Sequence, residues 1–510
     1  MRVLFAASEV FPLAKTGGLA DVIAGLSLAL AQLGVDVRLL VPGYTEALDR
    51  AEAKRDEVVL QGIPCVDDVT LVAARMPDTG LPVWLVDCPS LFRRAGGPYV
   101  DPEGRDWPDN AIRFATLSHV AARIAVRAAG TAWRPDLVHA HDWHLGLLPA
   151  LLAEWDGAHP PVILTIHNVA FQGVFPQAVF SQLGLPAAAF TPESVEYYGN
   201  VSFLKAGIRH ADRVTTVSRT YAREILTPEF GCGLDGVLRS RADGILGILN
   251  GADYENWNPE DSATLAAAYN ARDLTGKKTC KAALQEEFDL PLNAERPLIA
   301  FASRMTEQKM ADLLPSIAPL IVERGAQLVA CGEGDHNIED AVRAAADRDR
   351  KHISVRIGYD EGVARRLLAG ADIVLAPARF EPCGLVQLYA MRYGALPIVR
   401  RTGGLADTVV AFAETDVAST DAATGFAFER PTLPDLACAI ECACRTYRDH
   451  RTWSEMQNRA MNQDFAWRRP AQQYLSLYCE IVGRACGGLP RKQGIEVSDA
   501  NRSRAGRLVQ

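Results

Sequence analysis

Val3-Leu4-Phe5-Ala6-Ala7, then Lys15-Thr16-Gly17-Gly18-Leu19-Ala20-Asp21, then Val37-Arg38-Leu39-Leu40-Val41: this opening decides the fold. A short run that is apolar throughout reads as a strand buried on both faces, which is the habit of parallel sheets covered by helices. Two glycines allow a tight turn, a helix is predicted from about residue 19 to 32, and Gly34 supplies its stop. Strand, Gly-rich loop, helix and strand make the start of a doubly wound α/β domain.

Outward from there, apolar runs recur at 82–86, 137–140, 162–166, 214–217 and 245–249, several separated by Ala-rich helical stretches. The pattern restarts at 298–302 and continues through 327–331, 353–357, 373–376 and 396–399, which predicts a second doubly wound domain. The segment 258–296 is polar and helical in composition and belongs to the junction, so the change of domain is placed near Gly251. At 510 residues, two large domains are the expectation from length as well. The stretch 487–510 is polar, Gly-containing and mildly basic, and reads as a disordered tail.

Hydrophobic residues make up 48% and charged residues 23%, which suits sizeable soluble cores. The formal charge of −9, from 53 Lys+Arg against 62 Asp+Glu, argues against a broad nucleic-acid surface. The 11 cysteines are scattered without metal spacing or a compact disulfide framework, and no signal-peptide core or 18-residue apolar span occurs, so a cytoplasmic protein with no membrane partner is expected.

Several motifs fall where predicted strands end. Arg304 and Lys309 follow the strand 298–302, at the edge where open α/β sheets bind ligands; there they could neutralise a diphosphate leaving group, or be surface charges of a solvated loop. Glu381, in Phe380-Glu381-Pro382-Cys383-Gly384-Leu385, precedes a turn and a helix start, where it could accept sugar hydroxyls or cap the helix. Val138-His139-Ala140-His141-Asp142-Trp143-His144 and Thr165-Ile166-His167-Asn168 both follow apolar strands and suggest one shared cleft. Alternation sends His139 and His141 to one face, no zinc ligand set is completed, and sugar-binding or packing histidines are expected. Arg401-Thr402-Gly403-Gly404-Leu405-Ala406-Asp407 echoes residues 15–21, and backbone N–H groups of either turn could meet an anion. Gly231-Cys232-Gly233-Leu234-Asp235-Gly236 matches G-x-G-x-x-G but follows no buried strand, so nicotinamide cofactor binding is set aside. Asp347-Arg348-Asp349 lies in a charged helical run and reads as a solvated face rather than a metal site.

Taken with Ser8-Glu9-Val10, Tyr198 to Gly207 and Asn250-Gly251, these segments resemble the bacterial glycogen synthase and plant starch synthase family over residues 1 to 483. The resemblance implies the GT-B arrangement: an N-terminal Rossmann-like domain over 1–250, a nucleotide-sugar domain over 251–460, and a C-terminal helix within 461–484 crossing back to the first. It implies a retaining transfer of glucose from ADP-glucose to the non-reducing 4-hydroxyl of an α-1,4-glucan such as glycogen, with no required metal or cofactor. A UDP-glucose enzyme of the same fold and a non-catalytic glucan-binding homologue are the rival readings.

Carried over by position, Lys15, Gly17 and Gly18 would contact the donor from the first domain, and Arg304 and Lys309 would hold its diphosphate. Asp21 and Asn250 would support that site, Tyr359 would pack on the base, and Cys383, Gly384, Leu385, Thr402, Gly403 and Gly404 would line the donor. His167 would touch the transferred glucose and Glu381 its hydroxyls; Glu9, Tyr99, Asp142 and Trp143 would line the acceptor side. Four positions depart from the family pattern: Met310 stands for Gly, Val386 for Thr, Arg219 for Pro, and Tyr389 for the second Glu of E-x7-E. Of these, a side chain at Met310 could reshape the cation loop, and Val386 lacks a hydroxyl that could bond phosphate.

Overall fold

The computed structural model describes residues 1–260, 263–358, 360–413 and 421–483. Nine strands form the first sheet, side by side in the order Leu246–Gly247, Arg213–Thr216, Val162–Ile166, Leu137–His141, Arg2–Ala6, Asp36–Pro42, Pro82–Asp87, Val69–Arg75, Glu52–Leu60. The central strand Arg2–Ala6 runs parallel to both neighbours, Val3 opposite Val37 on one side and Leu137 on the other. Each apolar run predicted in this half is a strand, and Val3, Leu4, Phe5 and Ala6 are wholly buried.

The all-parallel expectation fails at one edge, where Val69–Arg75 and Glu52–Leu60 are antiparallel and the pairing slips register. The outermost strand opens on Glu52, Lys54 and Arg55, and only Val58, Val59 and Leu60 at its end form an apolar run, too short to announce it. Charge on an edge strand also discourages pairing with another chain. A separate three-stranded antiparallel sheet, Val174–Pro176, Asn200–Ser202 and Glu196–Tyr197, is likewise too short and polar to be read from pattern.

The second sheet has six parallel strands in the order Ile353–Ile357, Gln327–Gly332, Leu298–Ala302, Ile373–Ala376, Leu396–Arg400, Phe426–Phe428. Numbered along the chain that order is 3-2-1-4-5-6, the Rossmann order, with its reversal between Leu298–Ala302 and Ile373–Ala376. The junction contributes the helix Thr275–Glu287, whose Cys280 and Leu284 belong to this second core.

One hydrophobic core gathers residues from Val3 to Ile248, and a second those from Ala252 to Met461. Trp467, Ala471, Tyr474, Leu477 and Tyr478 then return to the first core. The expected crossing helix is two helices: His450–Met461 ends in the second half, and Arg468–Val482 packs on the helix Gly18–Gln32 of the first. Between them the Ala252 N–H bonds the Phe465 carbonyl at 2.7 Å, so the outgoing and returning chain cross side by side. The predicted tail over 487–510 lies outside the described residues.

Candidate functional site

In the first sheet the strand order reverses between Arg2–Ala6 and Leu137–His141, so the turns leaving their carboxyl ends diverge and open a crevice. Glu9, Lys15 and Gly17-Gly18 follow the first of these strands, and Asp142 and Trp143 follow the second. His167 follows the neighbouring strand Val162–Ile166.

Glu9 is 3% exposed. Its carboxylate accepts the Thr16 N–H and the Tyr99 hydroxyl, the latter at 3.1 Å, and Tyr99 also bonds Ser8 at 2.7 Å. Burial outweighs those bonds and pushes Glu9 up to about 7. Asp142 is a similar case: it sits in a left-handed turn at φ 61°, accepts the His167 N–H at 3.3 Å, and is pushed by burial to about 7. Tyr99 stacks on His144 with centroids 4.7 Å apart, and Trp143 packs edge-on to Phe114.

The His167 Nε2 lies 3.1 Å from His141 Nδ1. Burial pushes His167 down to about 3, so the ring is neutral near pH 7 and serves as a hydrogen-bonding group, not a stored cation. His139 and His141 do share a face, with rings 4.1 Å apart, and both are fully buried. His139 bonds the Tyr478 hydroxyl at 2.7 Å and Thr165 at 2.6 Å, which makes it a packing histidine. Among the described residues no group of three or more His, Cys, Asp or Glu is arranged to hold a metal ion.

The second half repeats the arrangement at its own reversal. Arg304 and Lys309 follow Leu298–Ala302, and Glu381 follows Ile373–Ala376. Lys309 and Glu381 form an ion pair, and both side chains are largely buried. Gln308 braces the pair by donating to the Phe380 carbonyl at 3.3 Å, while its own carbonyl accepts the Arg379 N–H at 2.8 Å. Arg304 is exposed, and its carbonyl accepts the Thr306 N–H at 3.0 Å. Cys383 is buried and its thiol pushed up to about 12 by burial; the Asn250 backbone N–H bonds it. Gly384 has φ 75°, and a Cβ there would lie 2.5 Å from the Gln387 Oε1.

The two rims meet. A Cβ on Gly18 would lie 3.6 Å from Leu385 Cδ1, so the Lys15 turn stands against the Glu381 turn. Lys15 pairs with Asp21 at 2.8 Å. The turn Thr402-Gly403-Gly404 was expected to offer N–H groups to the donor, but the anion it holds belongs to the protein. Glu224 of the first half accepts the Thr402 hydroxyl at 3.0 Å and the Gly403 N–H at 3.0–3.1 Å. The helix beyond that turn, Gly403–Thr408, spans only 6 residues. Tyr359 lies outside the described residues.

Residues 2–240 match the family described as starch synthase catalytic domain, and residues 296–440 match glycosyl transferases group 1. A glycogen synthase of Burkholderia thailandensis is 49% identical over 99% of this chain and 94% of its own length. One from Paramagnetospirillum magneticum is 47% identical over 97% and 100%. The chain belongs to the glycogen and starch synthase family. Among solved structures, the catalytic domain of Arabidopsis thaliana starch synthase IV, bound to ADP and acarbose, superposes with a TM-score of 0.86 at 31% identity, covering 95% of this chain and 99% of that one. A sucrose-phosphate synthase from Thermosynechococcus elongatus, at 17% identity and a TM-score of 0.56, shares the fold. The chain is therefore a glycosyltransferase of GT-B architecture, as the sequence implied.

Three of the four departures from the family pattern have a visible structural place. Met310 adopts φ 53°, the left-handed conformation that suits the family's Gly, and its side chain is wholly buried in the second core. Arg219 opens the helix Arg219–Glu224 behind an N-cap Ser218, a position that Pro fills well but does not require. Tyr389 stacks on Trp257 at 4.4 Å and accepts the Asp253 N–H at 3.4 Å, which gives it a structural place. Gly231 to Leu234 form the turn that leads into the helix Asp235–Arg239, and Asp347 and Asp349 are bonded by Arg350 and His352 at a helix end. Sequence reasoning missed Glu224 and Thr220, whose partners become neighbours only on folding.

Proposed function

We propose that the chain transfers glucose from ADP-glucose to the non-reducing 4-hydroxyl of an α-1,4-glucan, with retention at the anomeric carbon. The observation that carries this reading is the Lys309–Glu381 ion pair at the reversal of the second sheet, facing the Lys15–Gly18 turn of the first. A cation beside a carboxylate suits a substrate that presents a diphosphate next to a sugar: Lys309 turns to the phosphate, with Arg304 and Lys15, and Glu381 is released to the hydroxyls. His167 lies on the opposite rim as a neutral hydrogen-bonding group, and Glu9, Tyr99, Asp142 and Trp143 line the acceptor side beyond it.

In the proposed step the bond from the anomeric carbon to the β-phosphate oxygen breaks, and the acceptor O4 bonds that carbon from the same face. The O4 proton passes to the departing phosphate, and ADP leaves with its charge balanced by the cations. No required metal enters the proposal, because Arg304, Lys309 and Lys15 supply the charge. Covalent retention needs a carboxylate placed against the anomeric carbon, and Glu381 is here given to the sugar hydroxyls instead. Trapping a glucosyl-enzyme would overturn front-face attack.

A glycogen-primed incorporation assay with labelled ADP-glucose and UDP-glucose tests the function. Preferential incorporation from ADP-glucose is expected. Preference for UDP-glucose would move the chain to another donor class, and no incorporation from either would leave a glucan-binding homologue.

A further inference from the structure

The segment from Thr216 to Glu224 belongs to the first half yet touches both rims. On its own side, the Thr216 hydroxyl bonds the Ile166 carbonyl at 2.7 Å, one residue before His167. The Tyr221 hydroxyl accepts the Val169 N–H at 3.0 Å, two residues after it. On the other side, the Ser218 hydroxyl bonds the Pro382 carbonyl at 2.6 Å, and Thr220 gives its N–H and hydroxyl to Asp407 at 2.9 and 2.7 Å. Glu224 completes the contact on Thr402 and Gly403.

The turn that Glu224 holds is pressed against Glu381. The Gly404 N–H bonds the Glu381 and Pro382 carbonyls at 3.2 Å, and a Cβ on Gly403 would lie 1.8 Å from the Glu381 carbonyl oxygen. No other residue fits at Gly403, where φ is 45°. A shift of Glu224 would therefore pass through the turn to the main chain of Glu381, while the other end of the same segment holds His167.

We propose that Glu224 is a positioning residue: seated on Thr402 and Gly403, its carboxylate keeps Glu381 in register with His167, and the donor phosphate does not use that turn. This rests on the reading of His167 and Glu381 as the groups that hold the transferred sugar.

Substituting Glu224 by Ala and by Gln tests it. Glu224→Ala is expected to lower kcat ~10- to 100-fold, the scale of a misplaced reacting group, with KM for ADP-glucose changed by less than about two-fold. Glu224→Gln keeps an oxygen to accept the Gly403 N–H and should restore most of the rate. An unchanged kcat in Glu224→Ala overturns the proposal. So does a fall in KM for ADP-glucose, which would mean that the carboxylate competes with phosphate for the turn.

Hydrogen exchange supplies a readout independent of turnover. Peptides covering 400–406 should exchange faster in Glu224→Ala and at the wild-type rate in Glu224→Gln; unchanged exchange in both overturns the contact. Wild-type protein that transfers no glucose would defeat the functional reading, while the exchange result still decides the role of Glu224. Should Glu224→Ala fail to fold, Thr402→Val removes the hydroxyl that bonds Glu224, and an unaltered kcat there overturns the proposal equally.

Discussion

Lys309 and Glu381 hold opposite charges close together in a largely buried place, so each is the other's solvent. A diphosphate that recruits the lysine would give it another anion in place of the carboxylate, and the negative charge so added needs the further cations Arg304 and Lys15. Lys309→Ala and Arg304→Ala are each expected to reduce the glucose-transfer rate ~10²- to 10³-fold, read in the incorporation assay. The second residue-scale prediction concerns Asp142, whose carboxyl is raised from 3.8 to about 7 by burial. The folded state then binds this proton more tightly than the unfolded chain. Its contribution to stability is therefore present at low pH and lost as pH rises from about 4 to about 7. Asp142→Asn should flatten that part of the profile and raise the unfolding midpoint at pH 7 relative to pH 4, as thermal denaturation across pH would show. At this scale the charged groups were legible because they follow apolar strands at sheet edges. The pairing of Lys309 with Glu381 was not, since 72 residues separate them and only the sheet order makes them neighbours.

At the scale of elements, the buried parallel strands were easy to read: an uninterrupted apolar run is required when both faces are covered. The edge strand Glu52–Leu60 and the small three-stranded sheet escaped because one side of each meets water, and their polar residues imitate loops. The final helix was placed too early, as Met461 and Arg468 belong to different helices separated by the crossing of the chain. That helix is held by more than its apolar face. Tyr478, His139, Thr165 and Thr215 form a buried chain of hydrogen bonds at 2.6–2.7 Å. Tyr478→Phe strands the His139 Nδ1 in an apolar place and should cost ~1 to 3 kcal/mol in chemical denaturation, with little effect on donor KM.

At the scale of the molecule, the two halves are joined where the chain leaves the first and where it comes back, and Trp467 is the bolt. A Cβ on Gly25 would lie 2.0 Å from its indole nitrogen, and one on Gly251 would lie 2.6 Å from its ring. Alanine in a helix ordinarily stabilises by ~1 kcal/mol over glycine, but overpacking costs ~1 to 3 kcal/mol and decides the sign at Gly25. Gly25→Ala and Gly251→Ala should each lower stability in urea unfolding. Because both displace the same ring, the double variant should lose less than the sum of the two. Nothing in the pattern of residues announces this, since a glycine in a helix and a glycine in a turn give no sign that one tryptophan needs both.

The return of the last helix also imposes an order on synthesis. The first core is short of Ala471, Tyr474, Leu477 and Tyr478 until nearly the whole chain has been made, whereas the second core, ending at Met461, has by then all of its own residues. The half translated first is thus the half completed last, and a ribosome that stalls between Met461 and Tyr478 would release a protein whose second half is whole and whose first half still lacks its closing wall.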